Sequence, residues 1–320
     1  MSSPVDPAPT PSLEERYKLA CEGAVAQSTR RLLFTHCTQN MEELGHYHAD
    51  MVFSHGGTGI LLKYNELFFI LTAQHVLDEN YAAAQNESPF FIPLISAEGF
   101  SEGGLDQLGF PVRGWRIGEG IAGEVPNIDF EDIVLVELGH PMRYPSTFLD
   151  LDDPSEVARH AGPLDPEEGY LVVSGYPNKH NPIDYPFAEV NCVATLNRHI
   201  FWGRYTPAEG LSALKLQVSL SHGEMNGISG GSVFTFAAPN SPSQWAGMVQ
   251  RADAGVVNFY PASLIVPAIT NYLECSNFEI DPAASLSDPV VLASPDAVEA
   301  RRKIHGGLRR LETNGQAQVD

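Results

Sequence analysis

Gly227-Ile228-Ser229-Gly230-Gly231 is the stretch on which the reading of this chain turns. It sets one serine hydroxyl among glycines, and the reason to look for chemistry there is steric. A serine that attacks a carbonyl must stand on a tight turn whose backbone N–H groups face the developing oxyanion. Side chains on its neighbours would block that approach. By composition alone a G-x-S-G-G run arises on the order of once in a hundred chains of this length. The run therefore carries weight only in company: an acyl-transfer serine needs a histidine base and a carboxylate behind it.

Both stand upstream. Phe68-Phe69-Ile70-Leu71-Thr72-Ala73-Gln74-His75-Val76 is a β-rich apolar run closing on a histidine. It follows the strand-like Gly57-Thr58-Gly59-Ile60-Leu61-Leu62, and Lys63-Tyr64-Asn65-Glu66 predicts a hairpin turn between the two. Further on, Asp132-Ile133-Val134-Leu135-Val136-Glu137-Leu138 places an aspartate at the mouth of another apolar strand, with Asp129 and Glu131 nearby as alternative acids. The phrase Leu-Thr-Ala-Gln-His ending at His75, the Asp-Ile-Val-Leu phrase from Asp132 and the glycine-flanked Ser229 together resemble the three signatures of the chymotrypsin-like (trypsin-like) serine peptidases. Their chain order, His75, Asp132, Ser229, is also that of the family, and differs from the subtilisin and α/β-hydrolase orders.

The resemblance implies a serine endopeptidase that works through an acyl-enzyme on a protein or peptide substrate, with no cofactor. Ser229 is then the nucleophile, His75 the general base and acid, and Asp132 the group that fixes the histidine tautomer. The N–H groups of Gly227 and Ser229 would form the oxyanion hole. Two other readings stay open: a catalytically silent, peptide-binding pseudoprotease, and a protease or esterase limited to processing its own chain. By offset from Ser229, the floor of the primary specificity pocket falls near Gly223 and Glu224. Its walls fall at Val249, Gln250, Arg251 and Gly255. Glu224 would draw Lys or Arg and Arg251 an acidic residue, and the choice is left open.

Three departures from the family pattern are visible. Ile228 stands where related zymogens carry an aspartate that pairs with a newly cut N-terminus, commonly Ile-Val-Gly-Gly, and no such N-terminal sequence is present. The nucleophile loop must therefore be held by packing, or ordered by a partner or substrate. Ser232 replaces the proline that usually follows the two glycines, and Val76 follows the histidine where secreted relatives carry a bridging cysteine. These features are closest in character to bacterial and intracellular trypsin-like peptidases.

Composition narrows the remaining classes. A formal net charge of -21 argues against nucleic acid as a partner, and no run approaches the roughly 18 apolar residues of a membrane helix. The beginning of the sequence has no basic n-region followed by an apolar h-region, so no secretory signal is read. Cys21, Cys37, Cys192 and Cys275 are expected to be reduced thiols, which fits a cytoplasmic location. His46, His48 and Asp50 lack the further ligand a metal site needs, and no metal is expected.

The fold expected is all-β: two six-stranded antiparallel β-barrels with N-terminal and C-terminal helical extensions. Residues 1–50 would hold a Pro- and Ser-rich tip and a helix running from a Ser12–Glu15 capping box to about Arg31. Its packed face would present Leu13, Tyr17, Ala20, Cys21 and Ala24. Residues 51–149 would form the first barrel, 150–166 a connector, and 167–275 the second barrel with a C-terminal helix ending near Leu273. Residues 276–320 would be a flexible tail. An activating partner, if one exists, would dock on the N-terminal helix or this tail.

Overall fold

The computed structural model describes residues 11–32, 57–77, 94–95, 111–121, 130–138, 147–165, 169–184, 193–194, 197–206, 211–218, 220–239 and 241–275. The expected tip, the tail 276–320, Cys37, Cys192, Asp129 and the His46–Asp50 group lie outside these residues. The chain is mostly β, with few helices, and its strands form two units.

The first unit is a seven-stranded sheet. It contains β1 (Thr29–Leu32), β2 (Gly57–Tyr64), β3 (Leu67–Ala73), β4 (Leu94–Ile95), β5 (Pro111–Arg116), β6 (Ile133–Leu138) and β7 (Leu149–Asp150). The order is β4-β1-β2-β3-β6-β5, and β7 adds in parallel to β2. Two-residue alternation explains why its central strands are apolar throughout. Ile60, Leu62, Phe69, Leu71, Ile133 and Leu135 face a core shared with the second unit, while Leu61, Phe68, Ile70, Val134 and Val136 face a separate apolar cluster. The β2–β3 hairpin turns on Asn65 and Glu66, both at positive φ, as a two-residue turn between right-twisted strands requires. Among the described residues this sheet is open, and the expected closed first barrel is not seen.

The second unit is a closed barrel of β8 (Tyr170–Gly175), β11 (His199–Thr206), β12 (Ser212–Leu216), β13 (Ser232–Thr235), β14 (Trp245–Asp253) and β15 (Val256–Pro261). Its order is β11-β12-β15-β14-β13-β8, and a separate pair, β9 (Ile183–Asp184) with β10 (Val193–Ala194), lies beside it in sequence. Alternation again separates two faces: Leu171, Val173, Val233, Val249, Val257 and Phe259 fill the barrel, and Val172, Phe234, Met248 and Tyr260 meet the first unit.

The helices tie these units together. The expected N-terminal helix to Arg31 is instead two helices and a strand: α1 (Leu13–Glu22), α2 (Ala24–Gln27) and β1. Gly23 ends the first with extended φ and ψ, and the β-branched Thr29 opens a strand whose ladder partner is β2. Of the expected packed face, Tyr17 and Ala20 turn inward while Leu13 and Ala24 are exposed. Residues 150–166 carry the helix α3 (Pro154–Ala161), started by the Asp153 carboxylate on the Ser155 N–H with Pro154 in the first turn. Two more helices follow, α4 (His222–Met225) and α5 (Ala262–Cys275), the latter two residues longer than expected. No helix among the described residues is long and apolar enough to cross a membrane.

Candidate active site

His75 lies in the short helical turn 74–77 that follows β3, and Asp132 closes a 3-10 turn just before β6. Because β3 and β6 pair with Ala73 opposite Ile133, the ladder itself brings the two side chains together. The His75 ring Nδ1 lies 2.9 Å from Asp132 Oδ1 and 3.1 Å from Oδ2. The backbone N–H of His75 also donates to Oδ1, at 3.0 Å. One carboxylate thus holds both the ring and the main chain of the histidine. It fixes Nδ1 as the protonated nitrogen and leaves Nε2 as an acceptor. The Asp132 side chain is nearly buried and the His75 side chain 41% exposed, so the ring reaches the surface from a covered anchor. Glu131 turns the other way, toward Arg116 at 3.5 Å.

The glycine-flanked serine lies between α4 and β13, in a backbone run whose peptides are fixed one by one. The carbonyl of Asn226 accepts the N–H of Asn178 at 2.7 Å. The carbonyl of Gly227 accepts the Thr58 hydroxyl at 2.7 Å, while the N–H of Ile228 on the same peptide donates to Met225 O at 3.1 Å. The carbonyl of Ile228 accepts the N–H of Gly231 at 2.9 Å. The carbonyl of Ser229 accepts the N–H of Thr58 at 3.1 Å, and the N–H of Gly230 donates to Val249 O at 2.8 Å.

A simple alternation results. The peptides 227–228 and 229–230 are tied at both ends, whereas 226–227 and 228–229 are tied only at their carbonyls. Among the described residues, neither the Gly227 nor the Ser229 N–H donates to a backbone carbonyl. A trans peptide sets its N–H opposite its C=O, so anchoring these two carbonyls turns both N–H groups away from their anchors.

The glycines are required by space as well as by dihedral angle. Gly227 and Gly230 have φ of +96° and +81°. A Cβ on Gly227 would sit 2.8 Å from Tyr176 O, and one on Gly230 would sit 2.0 Å from Thr58 O. Ile228 is 1% exposed and joins the apolar filling of the second barrel, entering the room left by the missing side chain of Gly175. The residue that replaces an aspartate in the family pattern is thus a hydrophobic anchor for the loop.

The two halves of the site meet through Thr58 and Thr72. Thr72, three residues before His75, donates its hydroxyl to Thr58 O at 2.8 Å, and a Cβ on Gly230 would meet the same hydroxyl at 2.6 Å. Gly57 packs on Val76, where an added Cβ would overlap the valine side chain at 2.1 Å. The histidine turn and the serine loop therefore rest on the same residues of β2.

The residues placed by offset around the pocket are distributed as follows. Gly223 and Glu224 lie on α4, before the serine loop. Glu224 already has partners: its carboxylate accepts the Ser221 N–H and hydroxyl at 3.0 Å each and meets Lys179 Nζ at 2.9 Å. The Ser221 backbone bond, the Lys179 side chain and the Ser221 hydroxyl hold it down to about 2. Val249 bonds directly to the loop, donating its N–H to Gly231 O and accepting from Gly230. Gln250 occupies a bulge between β14 and β15, and its Oε1 is buried without a hydrogen-bond partner. Arg251 is exposed opposite Asn258, and Gly255 lies in the β14–β15 turn with its carbonyl on the Leu216 N–H at 2.8 Å. Sequence reasoning did not single out Thr58, Tyr176 or Asn178. The only signal in the sequence is a threonine between two glycines at the start of β2.

No protein-family model matches the chain, and no curated protein matches it in sequence. Solved structures are similar to it in outline. One is described as a thermostable serine protease AL20 from an extremophilic microorganism, with 15% identity and a TM-score of 0.44, covering 79% of this chain and 100% of its own. Another, described as Deg5, has 12% identity and a TM-score of 0.44, covering 81% of this chain and 95% of its own.

Proposed function

We propose that the chain is a serine endopeptidase. Ser229 attacks a scissile carbonyl, His75 Nε2 takes the hydroxyl proton, and the same nitrogen later returns it to the leaving amine. Asp132 holds the ring in the tautomer this requires and stabilises the imidazolium that forms. The developing oxyanion is received by the N–H groups of Gly227 and Ser229, each worth roughly 10²–10³ in rate in such sites. The observation that supports this reading best is the alternation of peptide anchors along 226–230. Two N–H groups on either side of Ile228 are left without backbone acceptors beside the one serine of the loop. An Asp–His pair with a nearly buried carboxylate, resting on the same strand, supplies the base.

Substrate specificity follows from the surroundings of the loop. Glu224 is engaged by Lys179 and Ser221, so its charge is spent within the protein.

A fluorophosphonate probe tests the reading directly. The wild-type protein should gain the mass of one adduct on the peptide containing Ser229, and Ser229→Ala should gain none. Folded wild type that takes up no probe would instead favour the peptide-binding, catalytically silent reading. A single cut in its own chain, seen by intact mass with no turnover of a peptide library, would favour self-processing.

A further inference from the structure

Nothing in the proposed chemistry accounts for Thr58, yet this residue of the first sheet makes two polar ties to the serine loop, as many as Val249 of the loop's own barrel. Its N–H donates to Ser229 O at 3.1 Å, and its hydroxyl donates to Gly227 O at 2.7 Å. The hydroxyl oxygen accepts the N–H of Tyr176 at 3.0 Å, and its carbonyl accepts the Thr72 hydroxyl at 2.8 Å. Every polar group of Thr58 is thus used, and the side chain is fully buried. The incoming N–H of Tyr176 occupies one lone pair, and the acceptor that the hydroxyl proton meets is the Gly227 carbonyl. The two carbonyls Thr58 holds flank Ile228 on either side. They belong to the two peptides tied at both ends; the peptide carrying the Ser229 N–H lies between these two, and the one carrying the Gly227 N–H directly precedes the first.

We infer that Thr58 is the positioning residue that keeps the serine loop in its working shape, a standing clamp supplied by the first sheet to the second barrel. This rests on the serine-peptidase reading only for its effect on rate; the ordering of the loop is separate. Apolar packing of Ile228 fixes where the loop lies, but dispersion contacts do not direct a peptide plane, whereas a hydrogen bond from a buried hydroxyl of fixed direction does. Loss of the hydroxyl leaves the Gly227 carbonyl and the Tyr176 N–H buried and unpaired. The cheapest relief is rotation of the 227–228 peptide, which turns the neighbouring N–H groups out of line.

Thr58→Val keeps the shape and removes the hydroxyl; Thr58→Ser restores it. With a fluorophosphonate as probe, Thr58→Val should lower the limiting labelling rate by about 10- to 100-fold, with the half-saturating probe concentration unchanged. Thr58→Ser should return to within about threefold of wild type. Hydrogen exchange over residues 226–231, read by mass spectrometry, should show faster exchange of the Ile228 and Gly231 amides in Thr58→Val and wild-type protection in Thr58→Ser. Labelling of Thr58→Val at the wild-type rate would overturn the clamp, and so would equal exchange of the loop in all three proteins. If wild type takes up no probe, the peptidase reading fails, and the exchange comparison alone decides the clamp. Should Thr58→Val not fold, Thr58→Ala removes the same hydroxyl without setting a methyl against the Gly227 carbonyl and is read in the same way.

Discussion

The acid–base half of the candidate site and its serine half are built on opposite plans. His75 and Asp132 stand at adjoining ends of neighbouring strands of one sheet and are joined by a single carboxylate, so the β3–β6 ladder is enough to assemble them. The serine loop is held by four segments: Thr58 from the first sheet, Asn178 after β8, Met225 in α4 and Val249 in β14. Chemistry that needs two atoms in register can be left to a ladder. Chemistry that needs backbone N–H groups aimed at empty space needs every neighbouring peptide tied down from outside.

The contrast can be broken from either side. Asp132→Asn offers a donor where the ring needs an acceptor. It should cut turnover by about 10⁴-fold while leaving stability and loop exchange near wild type. A loss of loop protection in that variant would show that the halves are not assembled independently. Gly230→Ala attacks the other half. With φ at +81° and the Thr58 carbonyl 2.0 Å from the new Cβ, it should cost about 4 kcal/mol in urea unfolding and lose labelling as well. A variant that unfolds like wild type would mean the four-segment anchoring is looser than drawn.

A smaller effect belongs to the second barrel alone. His160 in α3 is fully buried, and its Nδ1 accepts the Trp245 N–H at 3.0 Å. Burial, with a contribution from the Arg159 charge, lowers its pKa from 6.5 to about 4. The unfolded chain therefore binds the proton first. Stability is complete above about pH 6.5 and falls as pH drops toward 4, by about 3 kcal/mol. Denaturation midpoints across that window should lose most of this slope in His160→Asn, whose Oδ1 can still accept from Trp245; an unchanged slope would remove His160 from the account. Smallest of all is the first sheet's hairpin. Glu66→Gly should stabilise by about 1 kcal/mol, because Glu66 holds φ at +59° and its pair with Lys63 is solvent-exposed. Thermal unfolding measures it, and no gain would place the strain elsewhere.

The same contrast separates what could be read from the sequence and what could not. The strands around His75 and Asp132 were legible because apolar runs bounded by turn residues report burial on both faces directly, and the Asn65-Glu66 turn follows from them. The need for glycine at 227 and 230 was legible as sterics. What orders the loop was not. Thr58 lies 171 residues before Ser229 in the chain, and a threonine at a strand start has no local mark of the partner it will meet. The strand within residues 29–32 was masked by helical spacing, and its register is set by β2, again a tertiary partner. Helix α3 hid behind aspartates and prolines that read as a connector, although Asp153 and Pro154 are also a good helix start.

The N-terminal segment imposes an order of events on a chain made from one end. Helix α1 docks through Tyr17 on Ile200 O and Phe236 and through Arg16 on Ala237 O, and Thr29 meets Ser232 at 2.6 Å. Each of those partners leaves the ribosome some two hundred residues later, on the order of 10–40 s at 5–20 residues per second. Helix α1, made before all of these partners, is thus among the last of the described elements to find its place. A nascent chain halted before residue 237 would carry His75 and Asp132 in a finished ladder, with helix α1 still waiting for its seat on the barrel.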